Sequence, residues 1–307
     1  MSATLAAFVA EPAGLAGPLT WRMLLCAVSL LNIVAWAGSA VLIRQRHAAL
    51  PPAHRTMVWW QLLLSAGYVL GCAYRSAFPV YDIQRLCMVD SWLSSVIVGR
   101  TVATVAELCL TAQWALLLHG LARAAGSPAA TLVSRLVVPL IAVAETCSWY
   151  SVLTTSNIGH VFEESLWGLS AGLLLAGLVR IRSRWPRELR PALGAACILL
   201  LGYVIYMFEV DVPMYWSRWV LDTDQGRQYL GIAEGMVDAS SRWIVSHRWV
   251  DWKSEVAWMS LYFSVGVWLS IGLIHVSVRG QAGRNNGEPA RTKHPFGLNP
   301  SLRRDTR

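Results

Sequence analysis

The sequence predicts an all-α integral membrane protein, a polytopic bundle of seven transmembrane helices with its N-terminus outside and its C-terminus inside. Three observations predict this class: an apolar composition, seven long apolar runs, and arginines that alternate between the connections. Of the 307 residues, 55% are hydrophobic and 14% are charged, whereas a soluble domain has about 25% charged residues. This deficit of charge is typical of a multi-pass membrane protein, and the cell membrane is the expected location.

Seven apolar runs are each long enough to cross about 30 Å of hydrocarbon as a helix. Because a segment in the bilayer must satisfy its own backbone hydrogen bonds, helices are the expected structure. The predicted spans lie near 22–43, 57–77, 92–121, 133–153, 160–180, 190–209 and 255–277. We therefore expect a short outer tail at 1–20, a transmembrane domain at 21–279, and a disordered basic cytoplasmic tail at 280–307.

The distribution of arginine predicts the orientation. The first, third and fifth connections and the C-terminal tail carry most of the basic residues, whereas no Lys or Arg precedes Arg22. With seven spans, these basic segments lie on one side, and basic loops stay in the cytoplasm. The net charge of +8 is thus spread over short loops and the tail, which indicates a membrane-facing surface and no nucleic-acid partner.

The long outer connection at 210–254 is rich in tryptophan, which favours the membrane interface. The stretch from Arg227 to Val245 is compatible with a helix on the outer surface. Its inward residues would be Leu230, Ala233, Val237 and Ile244. Cys72 and Cys87 flank the second connection, where a disulfide would pin the loop; the alternative is that Cys72 is buried as a thiol.

Ionisable side chains inside the apolar spans carry the strongest functional signal, since each costs about 2.5–3.5 kcal/mol at the centre of a span. Glu107 lies in the middle of the third span and shares a helix face with Arg100, Thr104, Thr111 and Trp114. Arg100 and Glu107 are about 10 Å apart along the helix axis. We therefore expect each to find a partner on another helix.

A second group of acids falls in the predicted outer halves of the fourth, fifth and sixth spans. It contains Glu145, Glu163, Glu164 and Glu209, with His160 one turn before Glu163. Aromatic residues accompany these acids, whereas the inner halves of most spans are apolar. The pattern predicts an aromatic-walled, carboxylate-rich pocket that opens to the outside and is closed toward the inside.

The first functional hypothesis is an integral membrane enzyme that acts on a lipid-like or isoprenoid-like substrate by acid–base or metal-assisted chemistry. Paired acids in an apolar site acquire different proton affinities, which yields an acid and a base. The candidate catalytic residues are Glu145, Glu163, Glu164, Glu209 and Glu107, with Glu145 preferred. The candidate substrate-binding residues are Arg75, Arg100, Trp149, Trp167, Tyr206 and Trp258, the arginines for an anionic head group.

Other interpretations stay open at this stage. His160 and Glu163, three residues apart on a helix, are candidate ligands for a divalent metal, and no other cofactor is assigned. Glu107 and Arg100 could instead pair to tie helices together. As alternatives to an enzyme, the same pocket suits a seven-helix receptor or sensor for a small, cationic ligand, or a proton-coupled transporter. Membrane lipids and a lipid-like or small-molecule ligand are the expected partners.

Overall fold

The computed structural model describes residues 17–46 and 52–285, and these ranges contain the seven predicted apolar helices. The first five spans are single helices: α1 (Pro18–Arg46), α2 (Pro52–Ala77), α3 (Val96–Ala124), α4 (Pro128–Thr154) and α5 (Ile158–Arg180). The chain therefore has the architecture of a multi-pass membrane protein, with helices in the order that hydropathy predicts. The predicted tails lie largely outside the described residues, and the C-terminal helix continues to Asn285, beyond the predicted boundary at 279.

The sixth and seventh spans are longer than predicted, and each contains a π-helical turn. The sixth span comprises α6 (Arg190–Tyr206), a π turn (Met207–Asp211) and α7 (Val212–Asp224). After a surface helix, α8 (Ile232–Ser241), the seventh span comprises α9 (Trp249–Leu261), a π turn (Tyr262–Gly266) and α10 (Val267–Asn285). A π turn inside an α-helix is rare and frequently marks a functional site.

One end of the bundle carries a small three-stranded sheet, and we call it the sheet end. Strand β1 (Val80–Tyr81) pairs antiparallel with β2 (Leu86–Cys87), which pairs parallel with β3 (Ile244–Val245). Arg85, with a positive φ of 58°, is wholly buried behind this sheet. Its guanidinium donates to the Asp82 and Val152 carbonyl oxygens and to the Asp238 carboxylate, at 2.7, 2.9 and 2.7 Å. Arg85 thus joins the second connection, α4 and α8.

At this end the structure shows the buried-thiol alternative for Cys72, and it corrects the inward face predicted for the surface helix. Cys72 and Cys87 are both buried and both free thiols, and the Cys87 thiol contacts the Val89 carbonyl oxygen at 3.4 Å. Burial raises the pKa of Cys87. The surface helix exists, but Ala233, Val237 and Ile244 are exposed.

The buried residues of α8 are Gly235 and Ala239. Their small size decides this orientation, because a Cβ at position 235 would clash with the carbonyl oxygen of Leu153. The apolar pattern predicts an inward face of mostly larger residues, whereas the close approach of the two backbones requires small ones.

The opposite end carries two 3-10 turns, Arg182–Arg184 and Arg187–Leu189, and we call it the arginine end. Here the sixth and seventh spans meet: α10 packs against the turn Arg187–Leu189, and Leu193 and Leu273 share one apolar core. Toward the sheet end the two spans separate. The sixth span packs along α5, and the seventh packs against α1, α2 and α3. Within the described residues the two backbones make no extended contact there, although Arg218 of the sixth span interacts electrostatically with Glu255 of the seventh.

Candidate functional site

Three glutamates from three helices converge on one guanidinium nitrogen, and we call these four residues the carboxylate cluster. Nη2 of Arg100 lies 3.1 Å from Glu107 Oε2, 2.6 Å from Glu145 Oε2 and 3.1 Å from Glu163 Oε1. All four side chains are less than a tenth exposed. The prediction that Arg100 and Glu107 have separate partners is wrong for Glu107, because the two long side chains together span the distance between their backbones.

Side chains of α3 and α4 hold Glu145 in place. The Thr104 hydroxyl donates to Glu145 Oε2 at 2.6 Å, and the Trp149 indole N–H donates to the Thr104 oxygen at 3.1 Å. Thr104 thus contributes from the polar face of α3 that the sequence indicates. The other carboxylate oxygen, Glu145 Oε1, is buried and has no hydrogen-bond partner among the described residues.

Glu163 connects the carboxylate cluster to a histidine. Its Oε2 lies 2.6 Å from Nδ1 of His160, while Oε1 contacts Arg100. When Glu163 is ionised, Nδ1 is the donor, and Nε2 of the neutral imidazole is left as an acceptor. The backbone N–H of His160 donates to the Ser151 hydroxyl at 2.7 Å, so α4 fixes the first turn of α5. Gly159 permits this, because a Cβ there would clash with the Cys147 carbonyl oxygen.

An aromatic stack covers the imidazole. The Tyr215 ring of α7 lies 4.8 Å from the His160 ring, centroid to centroid, and the Arg218 guanidinium lies 5.4 Å from the centroid of the Tyr215 ring. The imidazole is therefore held by a carboxylate at one edge and by a ring on one face. Tyr215 reaches the site because the helix continues through the π turn beyond the predicted end of the sixth span.

Two further acids are buried beside this group. Glu164 has no hydrogen-bond or ion-pair partner among the described residues, and it interacts electrostatically with Glu163 and Asp211. Asp211 is 2% exposed, and its Oδ2 has no hydrogen-bond partner in the described part of the chain. Tyr203 is close enough to interact electrostatically with both. The acids of the site therefore outnumber the cations that contact them.

Of the remaining candidates, Glu209 and Arg75 do not contact the carboxylate cluster, whereas Tyr206 interacts with Asp211. Glu209 is exposed and does not join the other acids. Arg75 contacts Asp82 at 3.7 Å and the Val80 carbonyl oxygen at 3.2 Å, so it belongs to the sheet-end loop. Tyr206 is 41% exposed, whereas Trp167 is half-buried. Trp258 is also half-buried, and its ring lies 4.5 Å from that of Tyr262, centroid to centroid.

The structure adds two residues to the site that are not among the sequence candidates, Asp211 and Tyr215. For Asp211 a signal was present, because Leu200, Tyr203, Met207 and Asp211 follow steps of three and four residues and share a helix face. Glu209 lies two residues from Met207 and from Asp211, and hence on the other side. Glu209 is a candidate only because of its predicted depth in the membrane. Asp211 is identified instead by the helix face that it shares with buried residues.

The spacing of the buried acids can be compared with the predicted metal site at His160 and Glu163. Glu107, Glu145 and Glu163 each offer an oxygen within 4.8 Å of the others, a spacing that a metal ion could use. The Arg100 guanidinium, however, contacts all three oxygens. His160 and Glu163 form a hydrogen bond with each other, so a metal bound to Nδ1 and Oε2 would have to break it. In this structure the cation that contacts the three carboxylates is therefore the guanidinium of Arg100.

The fold and site define a seven-helix membrane bundle with a buried carboxylate cluster near its sheet end. Comparison with models of protein families, with curated proteins and with solved structures found no match. The chemistry of the site accordingly rests on its own geometry.

Proposed function

We propose that the protein is an integral enzyme of the cell membrane that performs acid–base chemistry on a lipid-like or isoprenoid-like substrate. The observation that carries this proposal is the series Arg100–Glu163–His160, in which one carboxylate bridges a guanidinium and an imidazole. A base oriented by a third group is the recurring arrangement of proton-transfer catalysis. The arginine distribution predicts that this end of the bundle faces outward.

Each residue then has a distinct role. His160 Nε2 accepts and returns a proton, and Glu163 is a positioning residue that fixes the tautomer and orientation of the imidazole. Glu107 and Glu145 hold Arg100, which in turn anchors Glu163. Glu164 and Asp211 form no ion pair with a described residue. They are the second proton-transfer groups in this assignment. In this assignment Glu145 supports the site, although the sequence favoured it as the catalytic acid.

A turnover assay tests the proposal. The purified protein in lipid nanodiscs is incubated with a total lipid extract, and mass spectrometry follows the loss and gain of lipid species. We expect His160→Gln and Glu163→Gln to reduce product formation by about 100-fold or more, the usual contribution of a general acid or base. Glu209→Gln, which changes an exposed carboxylate, should retain activity. Full product formation in both site variants would refute the proposal, and saturable ligand binding with no product would favour the receptor.

The excess of acids over cations favours one second candidate, a proton-coupled transporter. Buried carboxylates in membrane spans often relay protons, and Glu164, Asp211 and Glu163 form a continuous electrostatic group. Reconstitution in liposomes with a trapped pH indicator tests this. Proton movement that Glu164→Gln abolishes, with no lipid product, would support transport over catalysis.

A further inference from the structure

The two π turns each present an unpartnered polar atom at the level of the site. In the sixth span this atom is Oδ2 of Asp211, and in the seventh span it is the hydroxyl oxygen of Tyr262. Both atoms are buried, and neither has a hydrogen-bond partner among the described residues. Asp211 interacts with the Tyr206 hydroxyl, with Arg218 and with Glu163, and Tyr262 interacts electrostatically with Glu107 and Glu145. Both π turns therefore lie within electrostatic range of the carboxylate cluster.

The same two spans separate at this level. They share an apolar core at the arginine end, but toward the sheet end the sixth span follows α5 while the seventh follows α1, α2 and α3. Along this stretch Tyr203 and Tyr215 of the sixth span and Tyr262 of the seventh are only half-buried, and we call the space between the two spans the cleft. Tyr206, one turn before Asp211, is 41% exposed, so a polar aromatic side chain lies on the surface of the sixth span near the cleft.

The charges of the residues around the cleft indicate which chemical group of a ligand could bind there. Five buried carboxylates, those of Glu107, Glu145, Glu163, Glu164 and Asp211, lie together. Arg100 contacts three of them. Arg218 interacts electrostatically with Asp211, but neither Asp211 nor Glu164 forms a direct ion pair with a described residue. A buried carboxylate is stable when a cation or a proton compensates it. An ammonium group supplies both positive charge and N–H donors, and tyrosine faces attract cations.

We propose that this cleft admits, from the bilayer, an amphiphile with a protonated amine head group. The ammonium binds Asp211 and Glu164, and the alkyl chain lies between the sixth and seventh spans. The inference rests on the proposed function, because it names the substrate class of the same site. It also replaces the anionic head group that the sequence suggested, since carboxylates already engage both Arg100 and Arg75.

A binding assay that needs no turnover tests this inference. The probes are hexadecylamine, hexadecanol with the same chain and no charge, and butylamine with the charge and a short chain. Binding to the protein in detergent-free nanodiscs of phosphatidylcholine, whose head group has no net charge, is measured by thermal stabilisation. We expect hexadecylamine to bind, and both Asp211→Asn and Glu164→Gln to weaken its affinity by about 30-fold or more, the usual effect of removing one partner of a buried charged pair.

The matched control is Glu209→Gln, because it removes a carboxylate from the same π turn but on the exposed side. It should bind hexadecylamine as the unmodified protein does. A photoreactive hexadecylamine with a mid-chain diazirine should label peptides of the sixth and seventh spans, and excess hexadecylamine should prevent the labelling. Labelling confined to other spans would contradict the location.

Each outcome separates this inference from the proposed function. Equal binding of hexadecanol, or unchanged binding by both Asp211→Asn and Glu164→Gln, would overturn the amine site. Equal affinity for butylamine would overturn entry from the bilayer. If His160→Gln abolishes lipid turnover while no amine binds, the enzyme proposal stands and the inference fails. If amines bind as expected and His160→Gln retains full turnover, the inference stands and the catalytic roles fail.

Discussion

At the scale of single residues, Arg100 is the side chain on which the site depends. Its replacement by Met leaves three buried carboxylates without the cation that contacts them, and removing one partner of a buried ion pair costs about 3–5 kcal/mol. We expect Arg100→Met to lower the thermal unfolding temperature of the protein in detergent. The added change Glu145→Gln should recover part of the loss, since it removes one of the repelling charges.

The control for this prediction is Arg227→Met. Arg227 forms a 2.9 Å ion pair with Asp222, but its side chain is 37% exposed, and such surface pairs contribute about 0–1 kcal/mol. Equal destabilisation by Arg227→Met and Arg100→Met would show that the carboxylate cluster has no special energetic role.

The sequence predicts which residues form the site better than it predicts which of their atoms are in contact. Glu107, Glu145, Glu163 and Arg100 stand out because charge inside an apolar run is costly. Which atoms meet depends on side-chain rotamers and on the packing of α3, α4 and α5, and neither can be derived from hydropathy. Glu209 and Asp211 are two residues apart at similar depth, so only the helix face separates them. The spacing of His160 and Glu163 suggests a pair of metal ligands, and the structure shows a hydrogen bond between them.

At the scale of elements, the contact between α4 and α5 positions the histidine. We expect Gly159→Ala to destabilise the protein by about 1–3 kcal/mol, because the added methyl group must push α5 away from the backbone of α4. It should also weaken any function that needs His160, the next residue. Thermal unfolding and the lipid turnover assay measure the two effects.

Gly172→Ala is the matched control in the same helix. The nearest atom to its new Cβ is Cγ2 of Val204 at 4.0 Å, and alanine is favoured over glycine in a helix by about 1 kcal/mol. Unchanged or raised stability is therefore expected. A loss of stability for Gly172→Ala equal to that for Gly159→Ala would argue against the close-packing explanation.

The apolar elements were predictable because twenty or so apolar residues in succession have few alternatives to a membrane helix. The prediction fails where the sixth span becomes polar. Its predicted end lies at 209, yet the helix continues to Asp224, because α7 packs against α5 and Tyr215 covers His160. The two π turns leave no signal in the hydrophobic periodicity. Each is one turn of five residues inside a longer α-helix, and it adds a single residue to that turn.

At the scale of the whole molecule, the arginine distribution predicts which end faces the cytoplasm. A fluorescent protein fused after Arg307 should fold and fluoresce in the cytoplasm, and an alkaline phosphatase fused at the same position should be inactive. The reason is that the basic connections and the C-terminal segment stay on the inner side. The reverse result would move the sheet end, and with it the carboxylate cluster, to the cytoplasmic face.

The pairing of β2 with β3 has a consequence for biosynthesis. Cys87 pairs with Val245, and Arg85 meets Asp238 from the same distant segment. During synthesis the second connection leaves the ribosome about 150 residues before its partners, so Arg85 can meet Asp238 only after four further spans have been made. Closing so long a loop is slow on entropic grounds. The sheet therefore forms late, and its presence marks a chain in which the spans from α3 to α7 have already been inserted in order.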